Sequence, residues 1–300
     1  MRNTPSLTPL QAWLQATRPR TLPAAVAPVM VGTSLALADG FFAWLPALAT
    51  LACALLLQIG VNLANDYFDF IKGVDTVDRL GPVRVTQSGL MTPAAVRRGM
   101  LTVLGLAVAA GIYLIHIGGL PIFLAGLAAV ICVLIYSGGP FPLASNGLGD
   151  LAVFIFFGPV AVGGTYYLQA LDVAVRVLPA SLSLGFLITA ILVVNNIRDI
   201  DTDRRAGKFT LAVRLGLRGA RIEYMLLICG AYVIPVAAWL AGPADWGQLP
   251  ALFSLPLAFR HVAEIRIIVG TGLNRVLAGT AMITLFYSVL MSIGIVVAGR

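Results

Sequence analysis

Nine apolar runs constrain this 300-residue chain more than any other feature. They lie near 21–38, 43–65, 99–115, 119–136, 151–170, 178–197, 222–241, 249–259 and 277–299. A helix needs roughly 20 apolar residues to cross ~30 Å of hydrocarbon. All but the eighth run approach that length. The eighth is short, carries Pro250 and Pro256, and meets Arg260 at once. Only 11% of the residues are charged and 59% are hydrophobic, whereas soluble domains carry about 25% charged residues. So few charges cannot coat the outside of a water-soluble globule. The expected fold class is therefore an all-α membrane protein with about nine transmembrane helices, in one domain over residues 1–300.

Charge sets the expected orientation. With the N-terminus in the cytoplasm and nine alternating spans, every Lys and Arg of the 20 falls on the inner side except Arg176 and Arg300. Cytoplasmic loops carry such an excess. The chain is expected to be a multi-pass protein of the plasma (inner) membrane, N-terminus and polar loops inside. The net charge of +7 then reflects orientation and an anionic substrate rather than nucleic acid. Residues 1–20 are polar, with Arg2, Arg18 and Arg20, and have no apolar signal core. Leu10, Trp13 and Leu14 fit one helical face and predict a short interfacial helix. Cys53, Cys132 and Cys229 lie in separate apolar runs without metal spacing, and read as small apolar fillers.

Acid is gathered in two places. The predicted inner loops 66–98 and 198–221 hold seven of the 13 acidic residues: Asp66, Asp69, Asp75, Asp78, Asp199, Asp201 and Asp203. In "NDYFDFIKGVDTVD", residues 65–78, Asn65 and Asp69 are four apart and share a helical face. In "NNIRDIDTDRRAGKFT", residues 195–210, Asn195, Asp199 and Asp203 do the same, and Asn196 neighbours Asp199 at three. The device occurs twice, four spans apart, so both copies are expected on one side of the membrane. Carboxylates at helix C-ends oppose the helix dipole and call for a bound cation. Oxygen donors without His or Cys suit Mg²⁺, which completes its shell with phosphate. Lys72, Arg79 and Arg84 in one loop, and Arg198 and Lys208 in the other, supply the charge to neutralise a diphosphate.

These residues resemble a known family. "NLANDYFDFIKGVD", "GPVRVTQSG" and "NNIRDIDTDRRAGKFTLAVRLG" are similar to the motifs of the UbiA superfamily of intramembrane aromatic prenyltransferases. They resemble most the branch acting on 1,4-dihydroxy-2-naphthoate, as do "RPRTLPAAVAPVMVG" at the first run and "YSGGPFPLASNGLGDLAVFIFFGPVAVGGTYY" at 136–167. The resemblance implies nine helices around a central cavity capped by the acidic loops. It implies that Asn65, Asp69, Asp199 and Asp203 hold two Mg²⁺ ions on a polyprenyl diphosphate. Asp66 and Asp75 match acidic positions more loosely, and Arg198 and Lys208 match basic ones. With Lys72, Arg84 and Asn196, these form the expected diphosphate site.

The expected chemistry is Mg²⁺-dependent transfer of a polyprenyl group to the naphthoate ring, with loss of CO₂ and diphosphate, giving demethylmenaquinol. Aromatic faces shelter an allylic cation; the candidates are Tyr67, Phe68, Tyr136, Tyr166 and Tyr167. Arg18 or Arg20 is a candidate partner for the naphthoate carboxylate, membrane anchoring being the alternative. Asp150, opening the fifth run, is a candidate to orient the ring hydroxyls or act as base, against a helix N-terminal anion favoured by the dipole. The alternatives are a prenyltransferase of the 4-hydroxybenzoate or chlorophyll synthase type, or a divalent-cation transporter. Against transport, the acids cluster at helix ends rather than at the bilayer midplane.

Overall fold

The computed structural model describes residues 8–74, 80–81, 84–242 and 246–299. Asp75, Asp78 and Arg79, like Arg2 and Arg300, lie outside the described residues. Among those described, all regular structure is helical. Helix α1 (Pro9–Thr17) starts where Thr8 Oγ1 accepts the Gln11 N–H and Gln11 Oε1 accepts the Thr8 N–H. This capping box satisfies two of the orphan donors of a helix start. Leu10 and Leu14 face outward, while the Trp13 ring fills the space a side chain at Gly99 would need. The expected single apolar face is thus divided between the surroundings and the protein.

After α1 the chain bends by 50° into α2 (Pro23–Ala38). Helix α3 (Trp44–Ile71) and the 45-residue α4 (Pro93–Ser137) follow. Gly119 inside α4 has φ 63° and ψ −147°, backbone that glycine adopts without steric penalty. A Cβ on Gly60 of α3 would meet both Leu104 and Val133. Both limbs of α4 therefore lie along α3, and the chain reverses at Gly119. These limbs are the separate runs expected at 99–115 and 119–136.

The next span, Gly149–Ala170, comprises α5 (Gly149–Ile155), a π-helical stretch Phe156–Gly163 around Pro159, and α6 (Gly164–Ala170). Then come α7 (Val177–Arg205) and α8 (Leu211–Ala241), the latter broken at Gly216. A 3-10 stretch, Trp246–Ser254, runs directly into α9 (Leu255–Ile267), and α10 (Leu273–Ala298) closes the chain. Among the described residues six helices are long and apolar enough to cross a membrane, or seven with the bent pair. The second limb of α4 and the rod 246–267 account for the other two expected runs. The weak eighth run is thus longer than its apolar residues suggested. Pro250 sits in its 3-10 part and Pro256 in the first turn of α9, where a missing N–H breaks no helical bond. The chain is a multi-pass membrane protein.

Helix α7 is the axis: 72% of its apolar window is buried inside the protein, against 11% for α4. Leu184, Leu187, Ala190, Val193 and Val194 centre a core that reaches α2, α8 and α10. The end of α7 away from its aspartates is fixed by a closed polar clamp. Arg176 pairs with Asp39, at the end of α2, and also donates to Leu35 O at 3.1 Å. Tyr166 Oη donates to Asp39 at 2.6 Å, and Gln248 Nε2 donates to Arg176 O at 2.9 Å.

Helices α3 and α7 have 28 and 29 residues. At ~1.5 Å per residue both exceed the ~30 Å hydrocarbon by roughly 13 Å. Asp66, Asp69, Asp199 and Asp203 therefore stand on helical extensions of spans. The expected polar loops 66–98 and 198–221 are shorter than drawn from the sequence, because the helices continue to Ile71 and Arg205.

Candidate active site

The two acidic helix ends meet. Asp69 is buried, and its Oδ2 accepts from Arg84 Nη2 and from Lys208 Nζ, both at 3.0 Å. Arg84 belongs to the segment after α3 and Lys208 to the segment after α7, 139 positions from Asp69 in sequence. A backbone bond of 2.8 Å from Lys208 N to Asp203 O turns this second segment back on its helix.

Arg84 owes its position to Asp66. The N–H groups of Val85 and Thr86 donate to Asp66 Oδ2 and Oδ1, each at 3.1 Å. Arg84, Val85 and Thr86 are all buried. Asp66, expected beside a substrate, thus serves in this structure to hold a basic loop over its neighbour Asp69. Lys72 Nζ donates to the carbonyls of Ser137 (2.7 Å) and Gly139 (3.0 Å), at the end of α4. Ser137 Oγ in turn donates to Asn65 Oδ1 at 2.7 Å. Desolvation lowers the Lys72 pKa from its ordinary value; Asp69 acts to raise it, and Lys208 adds to the lowering.

At the other helix end Arg198 forks onto Asp199: Nε to Oδ1 at 2.8 Å, and Nη2 to Oδ2 at 2.6 Å. Two parallel N–H···O bonds fix a carboxylate in both position and plane. The same guanidinium donates to Asn195 Oδ1 (2.7 Å) and Asn274 Oδ1 (2.8 Å), and Asn274 Nδ2 reaches Leu80 O at 3.2 Å. This chain of bonds ties α7 and α10 to the segment after α3. Asn196 is buried beside it, but the fork uses Asn195. Asp203 is half-buried on the same face as Asp199.

Arg18 sits at the left-handed joint between α1 and the bend, φ 50°. Thr21 Oγ1 donates to Arg18 O and accepts from Gln58 and Asn62 of α3. Tyr136, half-buried on the last turn of α4, places its Oη 3.2 Å from where a Cβ on Gly149 would lie. Asp150, next in the chain, is 5% exposed. Tyr67 and Phe68 pack edge to face, and Phe68 also lies against Gly138. Tyr166 is at the far end of the molecule, in the Arg176 clamp, and not beside the aspartates.

Two polar residues were missed in the sequence. Asn274 gives no local signal, since its role exists only after α10 folds against α7. Glu223 did give one: it is the sole acidic residue inside any of the nine apolar runs, and ionisable residues there are rare and functional.

The donor set has the chemistry of a magnesium site. It consists of hard oxygens, and the described residues contain no group of three His, Cys, Asp or Glu able to encage an ion. Such a set fits an ion that takes one or two carboxylates from protein and the rest from phosphate and water.

Comparison with known proteins gives the same direction. The profile of the UbiA prenyltransferase family matches residues 25–269. A 1,4-dihydroxy-2-naphthoate octaprenyltransferase of Mycobacterium tuberculosis is 44% identical over 85% of this chain and 86% of its own. The Escherichia coli protein of the same name is 42% identical over 74% of each. Among solved structures, a UbiA homolog from Archaeoglobus fulgidus bound to GPP and Mg²⁺ superposes with a TM-score of 0.68. It covers 95% of this chain and 99% of its own at 17% identity, which establishes a shared fold.

Proposed function

The chain belongs to the UbiA prenyltransferase family, and from that premise we propose that it transfers a polyprenyl group from polyprenyl diphosphate to 1,4-dihydroxy-2-naphthoate. The relatives above carry that activity in their names. The observation that carries the reading is the bond from Lys208 to Asp69. It brings two acidic helix ends, 130 residues apart, under one set of cations.

Asp69 and Asp199, with Asn65 and Asp203, are the oxygens that would hold Mg²⁺. The ion would supply positive charge against the leaving diphosphate. Arg84, Lys208 and Arg198 are within one bond of those carboxylates and are the donors for diphosphate oxygens. Here cations and carboxylates pair with one another. A diphosphate would enter as the anion the cations lack once the carboxylates turn to metal. Preorganised donors of this kind act where charge develops in the transition state.

As the allylic C–O bond breaks, its electron pair leaves with the diphosphate. The ring carbon of the electron-rich naphthoate bonds to the allylic carbon. The same ring carbon then loses its carboxylate as CO₂, and that electron pair restores the ring, giving demethylmenaquinol. Tyr136, between the diphosphate site and Asp150, is the aromatic face beside the cation. Arg18 is the cation assigned to the naphthoate carboxylate. With the acidic ends cytoplasmic, both substrates reach the site from the inner leaflet of the plasma membrane.

The test is an assay of purified protein in detergent, with labelled polyprenyl diphosphate and a panel of aromatic acceptors. Prenylated naphthoate product that disappears on chelation and returns with Mg²⁺ is expected. Product from 4-hydroxybenzoate alone would overturn the acceptor, and turnover without divalent metal would overturn the role of the aspartates.

A further inference from the structure

Two carboxylates, buried Asp150 and half-buried Glu223, each hold an inaccessible oxygen outside the cation-filled gap. Asp150 opens α5, and its Oδ1 is inaccessible and has no hydrogen-bond partner. Glu223 lies about two turns beyond the Gly216 break in α8, and its Oε2 is likewise inaccessible and unpartnered. The two carboxylates are close enough for the charge of one to act on the other, and that of Asp150 also acts on the Tyr136 hydroxyl. Both helices flank α7.

An ionised carboxylate only accepts hydrogen bonds. Leaving such an acceptor buried without a donor costs about 1–3 kcal/mol, and more when charged. Two together repel as well. No third His, Cys, Asp or Glu joins them among the described residues, so a metal cage does not account for them. Arg221 sends its guanidinium to Ile268 O instead.

Deeper along the same helices lies an aromatic pair. Phe154 is one turn below Asp150 and stacks on Phe186 of α7, with ring centroids 4.9 Å apart. Phe186 in turn lies against Gly230, two turns below Glu223, where an added Cβ would come within 2.9 Å of its ring. Gly185 makes the same room for Phe154. Both rings are only half-buried. Along α5 and α8, therefore, each carboxylate is followed by the stacked pair: Asp150 by Phe154, and Glu223 by Gly230 with Phe186 against it.

We propose that Asp150 and Glu223 form the recognition site for the acceptor's hydroxyl groups, with Phe154 and Phe186 as the apolar floor for its ring. The ligand class is a fused or single arene bearing at least two hydroxyls, each donating to one carboxylate. This rests on the prenyltransferase reading and adds how the acceptor is selected. A prenyl chain has no donors to offer these oxygens. The position beside Tyr136 puts the arene at the carbon end of the prenyl diphosphate. A site built to hydrogen-bond a hydroxyl rejects an analogue lacking it far more strongly than an apolar pocket rejects a missing methylene.

The experiment uses the purified protein with 1,4-dihydroxy-2-naphthoate and its mono-O-methyl ether as competing acceptors. Wild type is expected to prefer the diol by at least 100-fold in kcat/KM. E223Q and D150N are expected to raise the KM for the diol ten-fold or more and to shrink that preference below ten-fold. The KM for prenyl diphosphate is expected to stay within two-fold. Gln and Asn keep the side-chain shape and remove a buried charge, so the melting temperature is expected to hold or rise. If the fold is lost in one variant, Phe154→Leu, which removes the ring floor, supplies the same acceptor-specific readout. Unchanged diol preference in folded variants overturns the proposal, as does an equal loss for both substrates. No product from wild type with any arene overturns the underlying function instead.

Discussion

The two membrane ends of α7 carry polar clusters of opposite character. At one end Arg176 and Asp39 are enclosed by Tyr166, Gln248 and the Leu35 carbonyl. The Arg176 guanidinium meets the Asp39 carboxylate there. At the other end Asp69 takes two cations, Arg84 and Lys208, while Arg198 brings a third to Asp199. Lys72 adds a fourth, donating to the carbonyl oxygens of Ser137 and Gly139. The first cluster fastens α2 to the start of α7. The second gathers cations and carboxylates from segments far apart in sequence, which is what a site for a polyanion and its metal requires. An ion pair alone does not mark function; the convergence of both kinds of charge from distant segments does.

The comparison breaks most visibly at the aspartates. Asp69→Asn and Asp199→Asn keep side-chain shape and remove the charge that holds metal. Turnover is expected to fall about 100- to 1000-fold, the scale of losing one electrostatic contact to a transition state. Pyrophosphate with Mg²⁺ should raise the melting temperature of wild type and leave both variants unmoved. Full activity in either would reduce that carboxylate to a fastener like Asp39.

At the clamp the expectation reverses. Arg176→Met should cost about 2 kcal/mol of stability. A fully buried broken pair costs about 3–5 kcal/mol, and partial exposure at this end discounts it. Activity per folded molecule should stay within two-fold. A variant that melts normally but turns over ten-fold slower would place the Arg176 end in the reaction.

Much of this contrast was legible in the sequence. The apolar runs gave the spans because lipid leaves a helix no other partner for its backbone. The four-residue spacing of Asn65 with Asp69, and of Asn195 with Asp199 and Asp203, placed each set on one helix face. What the spacing could not give was partnership. Lys208 reaching Asp69 depends on how the turn after α7 closes on Asp203, and Arg84 on the grip of Asp66. The reversal at Gly119 was visible as two runs, but its tightness needed the packing of Leu104 and Val133 on Gly60. Loop lengths were misjudged because polar helical extensions and polar loops have the same composition. Tyr166 was grouped with the site because aromatic residues at membrane edges look alike from either side.

The finest distinction lies between neighbours on one helix, Asp66 and Asp69. Asp66 spends both oxygens on backbone N–H groups of Val85 and Thr86, whereas Asp69 Oδ2 accepts from the side-chain cations Arg84 and Lys208. Asp66→Asn keeps one acceptor oxygen and loses the charge assistance, worth roughly 1 kcal/mol. The basic loop then holds Arg84 less firmly, so KM for the prenyl diphosphate should rise about five-fold, the equivalent of that energy. The acceptor KM and the Mg²⁺ requirement should not move, because neither depends on where Arg84 rests. Steady-state kinetics with each substrate varied in turn reads the difference. Were Asp66→Asn to match Asp69→Asn in lost turnover and lost metal response, Asp66 would have to release the loop and join the ion during the reaction. The line between anchor and ligand would then run between α3 and α7, and not between these two residues.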